Sequence, residues 1–339
     1  MSNSKRIGKQ TVQFSLPPVI IGTSSVAGAK EGEGPLGEHF DTIVQDSMWG
    51  EESWEKAESK FMEQAVRTAL DKCNLAPGQI DYVFGGDLLN QCTSTNYGIR
   101  ALEIPFIGMY GACSTMALSM SMAAMCIDGG YAETCAAVTS SHFCSAERQF
   151  RFPLEYGGQR PPSAQWTATG SGCAILSSGG SGPAIDCITT GKIVDKGITD
   201  ANNMGAAMAP AAADTLIRHF QDTGRKPDYY DLIVSGDLGK VGKSIVVDML
   251  KEAGYNLTKN YNDCGLILFD CDEQDVHSGG SGCACSALTF CGYLYKLLSE
   301  KRYNRILFMA TGALMSTMSV QQGESIPGIA HAVSIANFQ

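Results

Sequence analysis

Apolar residues along this chain fall into short β-prone runs separated by longer stretches with helical spacing, and two of the patterns occur twice. Residues 80–88 read IDYVFGGDL and residues 230–238 read YDLIVSGDL, 150 positions further on. Each is an acidic residue, a short apolar run and a Gly-Asp-Leu turn, the pattern of a parallel strand buried on both faces. A longer repeat follows. GACSTMALSMSMAAMCIDGGYAETCAAVTSS from Gly111 lies without gaps on CACSALTFCGYLYKLLSEKRYNRILFMATGA from Cys283, at an offset of 172. That register puts Cys113 on Cys285, Ser114 on Ser286, Tyr131 on Tyr303 and Thr139 on Thr311. Both copies predict turn, helix, loop and strand, so one βαβ plan is used twice. The halves divide near SSGGSGP at 177–183, which gives residues 1–180 and 181–339.

The stretches 113–127 and 285–298 carry almost no charge, and a helix apolar all round is a buried helix. The stretch 53–72 differs: Trp54, Ala57, Phe61, Ala65, Val66 and Ala69 form a stripe opposite Glu58, Lys60, Glu63 and Arg67. A second amphipathic helix is expected over 243–253, with Ile245, Val246, Met249 and Leu250 on its apolar face. Two buried helices packed between two sheets, with amphipathic helices outside, predict an α/β protein of duplicated βαβ halves in a five-layer αβαβα sandwich.

Composition narrows the function. The chain has 339 residues, 44% hydrophobic and 18% charged, which suits a globular protein with substantial cores. Its 25 basic and 35 acidic residues leave a net charge of −10, and that field opposes binding along a nucleic acid backbone. No apolar run reaches the roughly 18 residues of a membrane span. The opening MSNSKRIGKQ lacks the apolar core of a signal peptide, so the chain is expected on the cytoplasmic side. The 13 cysteines are odd in number and lie mostly in apolar runs, as Cys126, Cys135, Cys173 and Cys291 do, which argues for reduced thiols. The one tight pair, Cys283 and Cys285, has no second pair to complete a zinc site, so no metal is expected. TGR at 223–225 and GKVGK at 239–243 miss the phosphate-loop spacing and read as turns; no cofactor is expected. Met116, Met120, Met204 and Met208 read as core filler.

One thiol stands apart by position. Cys113 follows the strand-like PFIGMY and a Gly-Ala turn, which places it at the head of the first buried helix. A helix N-terminus favours a thiolate; the plainer reading is a small core residue.

The duplicated halves, the buried helices and the strand–Gly–Ala–Cys–Ser–helix junction resemble the thiolase and ketoacyl synthase superfamily. EGPLGEHFD at 33–41, GDLLNQ at 86–91, IPFIGMYGACSTM at 104–116 and TSSHFCSAERQFRFPLEYGGQRP at 139–161 narrow the resemblance. With MGAAMAPAAADT at 204–215, GGSGCACSA at 279–287 and ESIPGIAHAV at 324–333, the chain looks like the stage V sporulation protein AD family over essentially its whole length. The superfamily implies that Cys113 is an acylated nucleophile, supported by a His from the second half and by a second His or an Asn. Those two positions fall at Gly236-Asp237 and at Cys283. An aspartate repels a developing oxyanion and a thiol is a weak donor. His142 and His331 are the imidazoles that could rebuild a Cys-His pair, which would leave a ketoacyl synthase III-like acyltransferase as the alternative to a non-catalytic binder. The narrower family implies binding of dipicolinic acid (pyridine-2,6-dicarboxylate) or its calcium chelate for uptake into the developing spore. It also implies a place at the spore inner membrane beside integral membrane subunits of the same transport system. The superfamily adds a homodimer paired through the PFIGMY strand.

A flat dianion calls for backbone N–H groups, a guanidinium and an apolar slot. Cys113-Ser114, Gly282 and Thr311-Gly312 are candidate sources of N–H groups, with His142 and Cys283 completing the expected lining. Arg148, Arg151 and Arg160, interleaved with Phe150, Phe152, Tyr156 and Trp166, read either as a carboxylate clamp or as a dimer brace held by Glu147 and Glu155. Asp87 and Asp237, at equivalent strand ends, read as helix caps or as carboxylates facing bound calcium.

Overall fold

Equivalent strands in the two halves take the same hydrogen-bonded order, as the repeat requires. In the computed structural model, which describes residues 4–151 and 159–338, the first half contributes β1 (Val19–Gly28), β2 (Tyr82–Gly86), β3 (Phe106–Gly108), β4 (Thr134–Ser141) and β5 (Gly170–Ser177). The second contributes β6 (Ala184–Thr189), β7 (Leu232–Ser235), β8 (Tyr261–Asp263), β9 (Arg305–Ala313) and β10 (Gly328–Ala336). The sheet runs β8-β7-β9-β10-β6-β1-β5-β4-β2-β3. In each half the two outermost pairs next to β2 or β7 are parallel and the strands nearer the junction are antiparallel. The halves meet where Val19 pairs with Ala184, so the two expected sheets form one continuous ladder. Phe152, Glu155 and Tyr156 of the arginine-rich stretch lie outside the described residues.

The helices that matter for the site are α1 (Trp54–Cys73), α2 (Thr93–Arg100), α3 (Thr115–Asp128), α4 (Phe143–Phe150), α5 (Met204–Thr223) and α6 (Gly239–Glu252). The last, α7, opens at Cys283–Leu288, passes through a π-helical turn at Thr289–Leu294 and closes at Tyr295–Ser299. α3 packs on β2 and β4 of its own half and on β9 and β10 of the other, while α7 lies against β4 and β5. The Phe290 ring of α7 meets Phe308 of β9 at 4.9 Å. α1 covers β1 and β5 from outside, and α5 covers β9 and β10 with α6 against it. Those contacts build the five layers. Met116, Met120 and Ala117 are fully buried because α3 has a sheet on both sides.

Three sequence expectations change. Glu58, expected on the solvent face of α1, is 1% exposed, because α4 and β4 cover that face. Ser140 and Ser145 donate to its carboxyl at 3.0 and 2.7 Å, and burial pushes its pKa up to about 8. α6 begins at Gly239 rather than at residue 243. The two buried helices also start out of step: Thr115 corresponds to residue 287, yet α7 already begins at Cys283. Cys285 is therefore inside a helix, whereas Cys113 sits in the turn before one. Between β8 and α7 the second half inserts a short helix, Cys264–Leu268, that has no counterpart before α3. Among the described residues, no helix is long and apolar enough to cross a membrane.

Candidate functional site

The turn that carries Cys113 is fixed by its own backbone. Ala112 takes the left-handed conformation at φ 49°, the Ser114 amide and hydroxyl both donate to the Gly111 carbonyl at 3.1 and 2.6 Å, and the Thr115 hydroxyl donates to Ala112 O at 2.6 Å. Ser114 is thus satisfied locally and offers no free N–H to a ligand. From the other half, β9 presses on this turn: a Cβ on Gly312 would stand 2.3 Å from Gly111 O.

Asp237 faces the turn and gathers Thr311 and Gly282, both expected to hold a ligand carboxylate, together with Ser281. The Thr311 hydroxyl donates to Oδ1 at 2.6 Å, and the Ser281 hydroxyl and the Gly282 amide donate to Oδ2 at 3.0 and 3.1 Å. The Ser281 hydroxyl lies 4.0 Å from the Cys113 sulfur. Burial raises the Asp237 pKa to about 6, with its hydrogen bonds holding it from going higher. The helix cap expected of Asp237 is made by Asp263 instead, which accepts the Leu238 and Gly239 amides at 2.8 and 3.0 Å. Asp87 does act as a cap, accepting the Leu89 and Thr95 amides, both at 2.7 Å, and the Thr95 hydroxyl at 2.6 Å.

Cys113 is half-buried, and its thiol is pushed well above its ordinary range by burial first and by Asp237 second. The lowering expected from a helix start is not seen, because the thiol is desolvated and, second, a carboxylate stands where a cation would be needed. Cys283 donates its thiol to Ala112 O at 3.1 Å and props the same turn from below.

Neither expected imidazole joins the thiol. His142 caps α4, its Nδ1 accepting the Cys144 amide at 3.2 Å while Nε2 bonds Ser47 O at 2.8 Å. His331 accepts the Gly191 amide at 3.3 Å, and burial lowers its pKa to about 4. Among the described residues neither ring hydrogen-bonds the Cys113 sulfur, so the Cys-His pair is not assembled. The three arginines diverge as well. Arg148 pairs with Glu55 over the Trp54 ring, and Arg160 donates to Asp275 O at 3.0 Å beside Trp166. Of the three, Arg151 reaches the Cys113 cavity; it pairs with Glu147, and its buried Nε has no partner among the described residues.

That cavity is small, about 40 Å3. Cys113, Arg151, Thr167 and Ser281 give it polar points, and Leu88, Phe150, Met204, Met208 and Met315 give it apolar walls. Met204 and Met208 therefore do more than fill core. Ser281 and Thr167 carry no sequence signal of their own, although Ser281 lies inside the GGSGCACSA stretch. Gln165, also unflagged, donates to Asp237 O at 2.6 Å and to Gly280 O at 2.8 Å and so sets the strand end that carries the aspartate. Among the described residues, no three His, Cys, Asp or Glu side chains gather as a metal site.

Two duplicated halves meeting at a cysteine-bearing turn define a thiolase-like protein. The architecture is similar to 3-oxoacyl-[acyl-carrier-protein] synthase III from Aquifex aeolicus VF5, with a TM-score of 0.56 and 13% identity over 94% of this chain and 99% of that one. It is also similar to cerulenin-bound OleA from Xanthomonas campestris, with a TM-score of 0.59 and 15% identity over 96% of this chain and 97% of that one. The chain belongs to the stage V sporulation protein AD family, whose sequence profile matches residues 8–336. It is 49% identical over 329 residues to stage V sporulation protein AD of Bacillus subtilis (strain 168), covering 97% of each chain. The family makes it a sporulation protein.

Proposed function

We propose that the chain binds dipicolinic acid, or its calcium chelate, for uptake into the developing spore, and that it does so without catalysis. The observation that carries this reading is Arg151, a guanidinium whose buried Nε has no partner among the described residues, beside a small cavity in a chain of net charge −10. A carboxylate is the natural partner of such a group. The Asp237 carboxylate already occupies Gly282 and Thr311, so the ligand's own carboxylates turn to Arg151. The same aspartate favours the calcium chelate, or the free acid at lower pH, because a second full negative charge beside it is opposed.

A retired enzyme accounts for the rest. The thiol is held protonated, its carboxylate neighbour opposes an oxyanion, and among the described residues no imidazole hydrogen-bonds the sulfur. The protein works at the inner membrane of the spore through integral membrane partners and pairs as a homodimer along β3, an edge strand whose Ile107 is 40% exposed.

Thermal unfolding with dipicolinate, with and without calcium, tests the binding: a ligand held only by the folded state raises the melting temperature. No shift in either condition would sink the proposal. Intact-mass measurement after incubation with an acyl-coenzyme A tests the other half, and an acyl adduct on Cys113 would restore the acyltransferase reading.

A further inference from the structure

The Cys113 cavity and a larger groove beside it share a wall of two side chains. The cavity holds about 40 Å3, whereas a cavity that accepts one benzene ring measures roughly 150 Å3. A six-membered ring enters only if a wall moves. The neighbouring groove, about 720 Å3, is lined by Asn90, Gln91, Tyr110, Gln149 and Thr317 among others, and Phe150 and Met315 line both spaces. Phe150 packs at once against the cluster of Leu88, Ala146 and Cys283 and against the cluster that contains Met315.

The backbone around the partition is braced. Gln149 donates to Leu88 O at 3.0 Å and accepts the Asn90 amide at 3.0 Å, and the Thr317 hydroxyl donates to Gln149 O at 3.1 Å. On the other side the Leu314 amide donates to Pro327 O at 2.8 Å. The two apolar side chains, in contrast, are held by packing alone, and methionine is the side chain that repacks most readily.

We propose that Phe150 and Met315 form a gate between the groove and the cavity and set the size of the molecule that reaches Cys113 and Arg151. The gate opens by side-chain rotation on a fixed backbone. The outer groove, with amides, hydroxyls and the Tyr110 ring, suits a flat aromatic carboxylate before it passes. The identity of that ligand rests on the function proposed above; the gate does not, because the thiol behind it reports access directly.

The test is alkylation of Cys113 in the full chain at mildly alkaline pH with a small reagent, iodoacetamide, and a ring-shaped one, N-ethylmaleimide. Peptide mass spectrometry reads each site, with half-buried Cys126 as the internal reference. Phe150→Ala and Met315→Ala are expected to speed maleimide modification of Cys113 by about tenfold or more, with a smaller gain for iodoacetamide. Phe150→Trp should slow both reagents, and Cys126 should not change. Unchanged Cys113 rates in variants that melt like the wild type would overturn the gate. An equal acceleration at Cys126 would also overturn it, as general loosening. If the variants speed Cys113 while dipicolinate leaves the wild-type melting temperature unmoved, the gate stands and the ligand assignment falls.

Discussion

Asp237 and Thr311 form a reciprocal pair across β7 and β9: the threonine hydroxyl donates to the carboxylate at 2.6 Å and accepts the aspartate's own amide at 3.2 Å. This pair belongs to the second half, yet it stands beside the cysteine turn of the first. Its charge state has a thermodynamic consequence. The folded-state pKa lies above the ordinary one, raised from about 3.8 to about 6, so the native state binds the proton more tightly than the unfolded chain. The stability associated with that proton is fully present below about pH 4 and is lost as pH rises through about 6, a change of roughly 3 kcal/mol. Asp237→Asn removes this titration. Its stability relative to wild type, from urea unfolding at a series of pH values, should rise between pH 4 and 6 and level off above. A difference that is flat with pH would mean that Asp237 is ionised throughout.

The same charge acts on ligand. Dipicolinate affinity without calcium should weaken as pH rises through about 6 in the wild type and should do so less in Asp237→Asn. Isothermal titration across that range checks it; identical profiles for the two proteins would place the ligand away from Asp237.

Arg151→Gln should weaken dipicolinate binding by about tenfold or more, the size of a lost charge-assisted hydrogen bond. Arg148→Gln should leave it unchanged, because Arg148 is committed to Glu55 and Trp54 away from the cavity. Equal losses in both variants would point to the arginine-rich loop as a brace.

The duplication made much of this site legible. The offset that lays Thr139 on Thr311 also aligns the ends of β4 and β9. Cys113, Asp237, Gly282, Cys283 and Thr311 do converge there. The imidazoles failed for a definite reason: a polar ring near a strand end is as useful for satisfying backbone as for catalysis, and only its partners reveal which. Arg151 could not be separated from Arg148 by sequence, since residues three apart share one helix face; Arg151 lies just past the end of α4, where the backbone leaves helical geometry at φ −131° and ψ 40°. Ser281 and Gln165 had no signal of their own, because a serine in a Gly-rich turn and a lone glutamine are common and acquire meaning from the aspartate they meet.

The contact between halves at the site should be sensitive to one methyl group. At Gly312 a Cβ would stand 2.3 Å from Gly111 O, a backbone atom with no rotamer to yield. Gly312→Ala should displace the Cys113 turn, destabilise the fold by about 1–3 kcal/mol and alter the Cys113 alkylation rate. Wild-type melting and wild-type alkylation together would show that β9 stands off the turn.

Assembly is governed by what terminates the sheet. β3 ends the ladder on the first-half side with its outer edge unpaired among the described residues, and Ile107 on it and Tyr110 just past it are 40% and 47% exposed. An exposed edge carrying apolar side chains invites pairing with a second strand, and a two-fold axis lets each copy supply it. A charged side chain at the centre of that edge opposes pairing in both copies at once, so its effect is doubled in the dimer and absent from the monomer. Ile107→Lys should therefore shift sedimentation from dimer to monomer while leaving the far-ultraviolet spectrum intact, because Ile107 is not part of the core. A wild-type chain that sediments as a monomer, or a variant that remains a dimer, would remove β3 as the assembly edge.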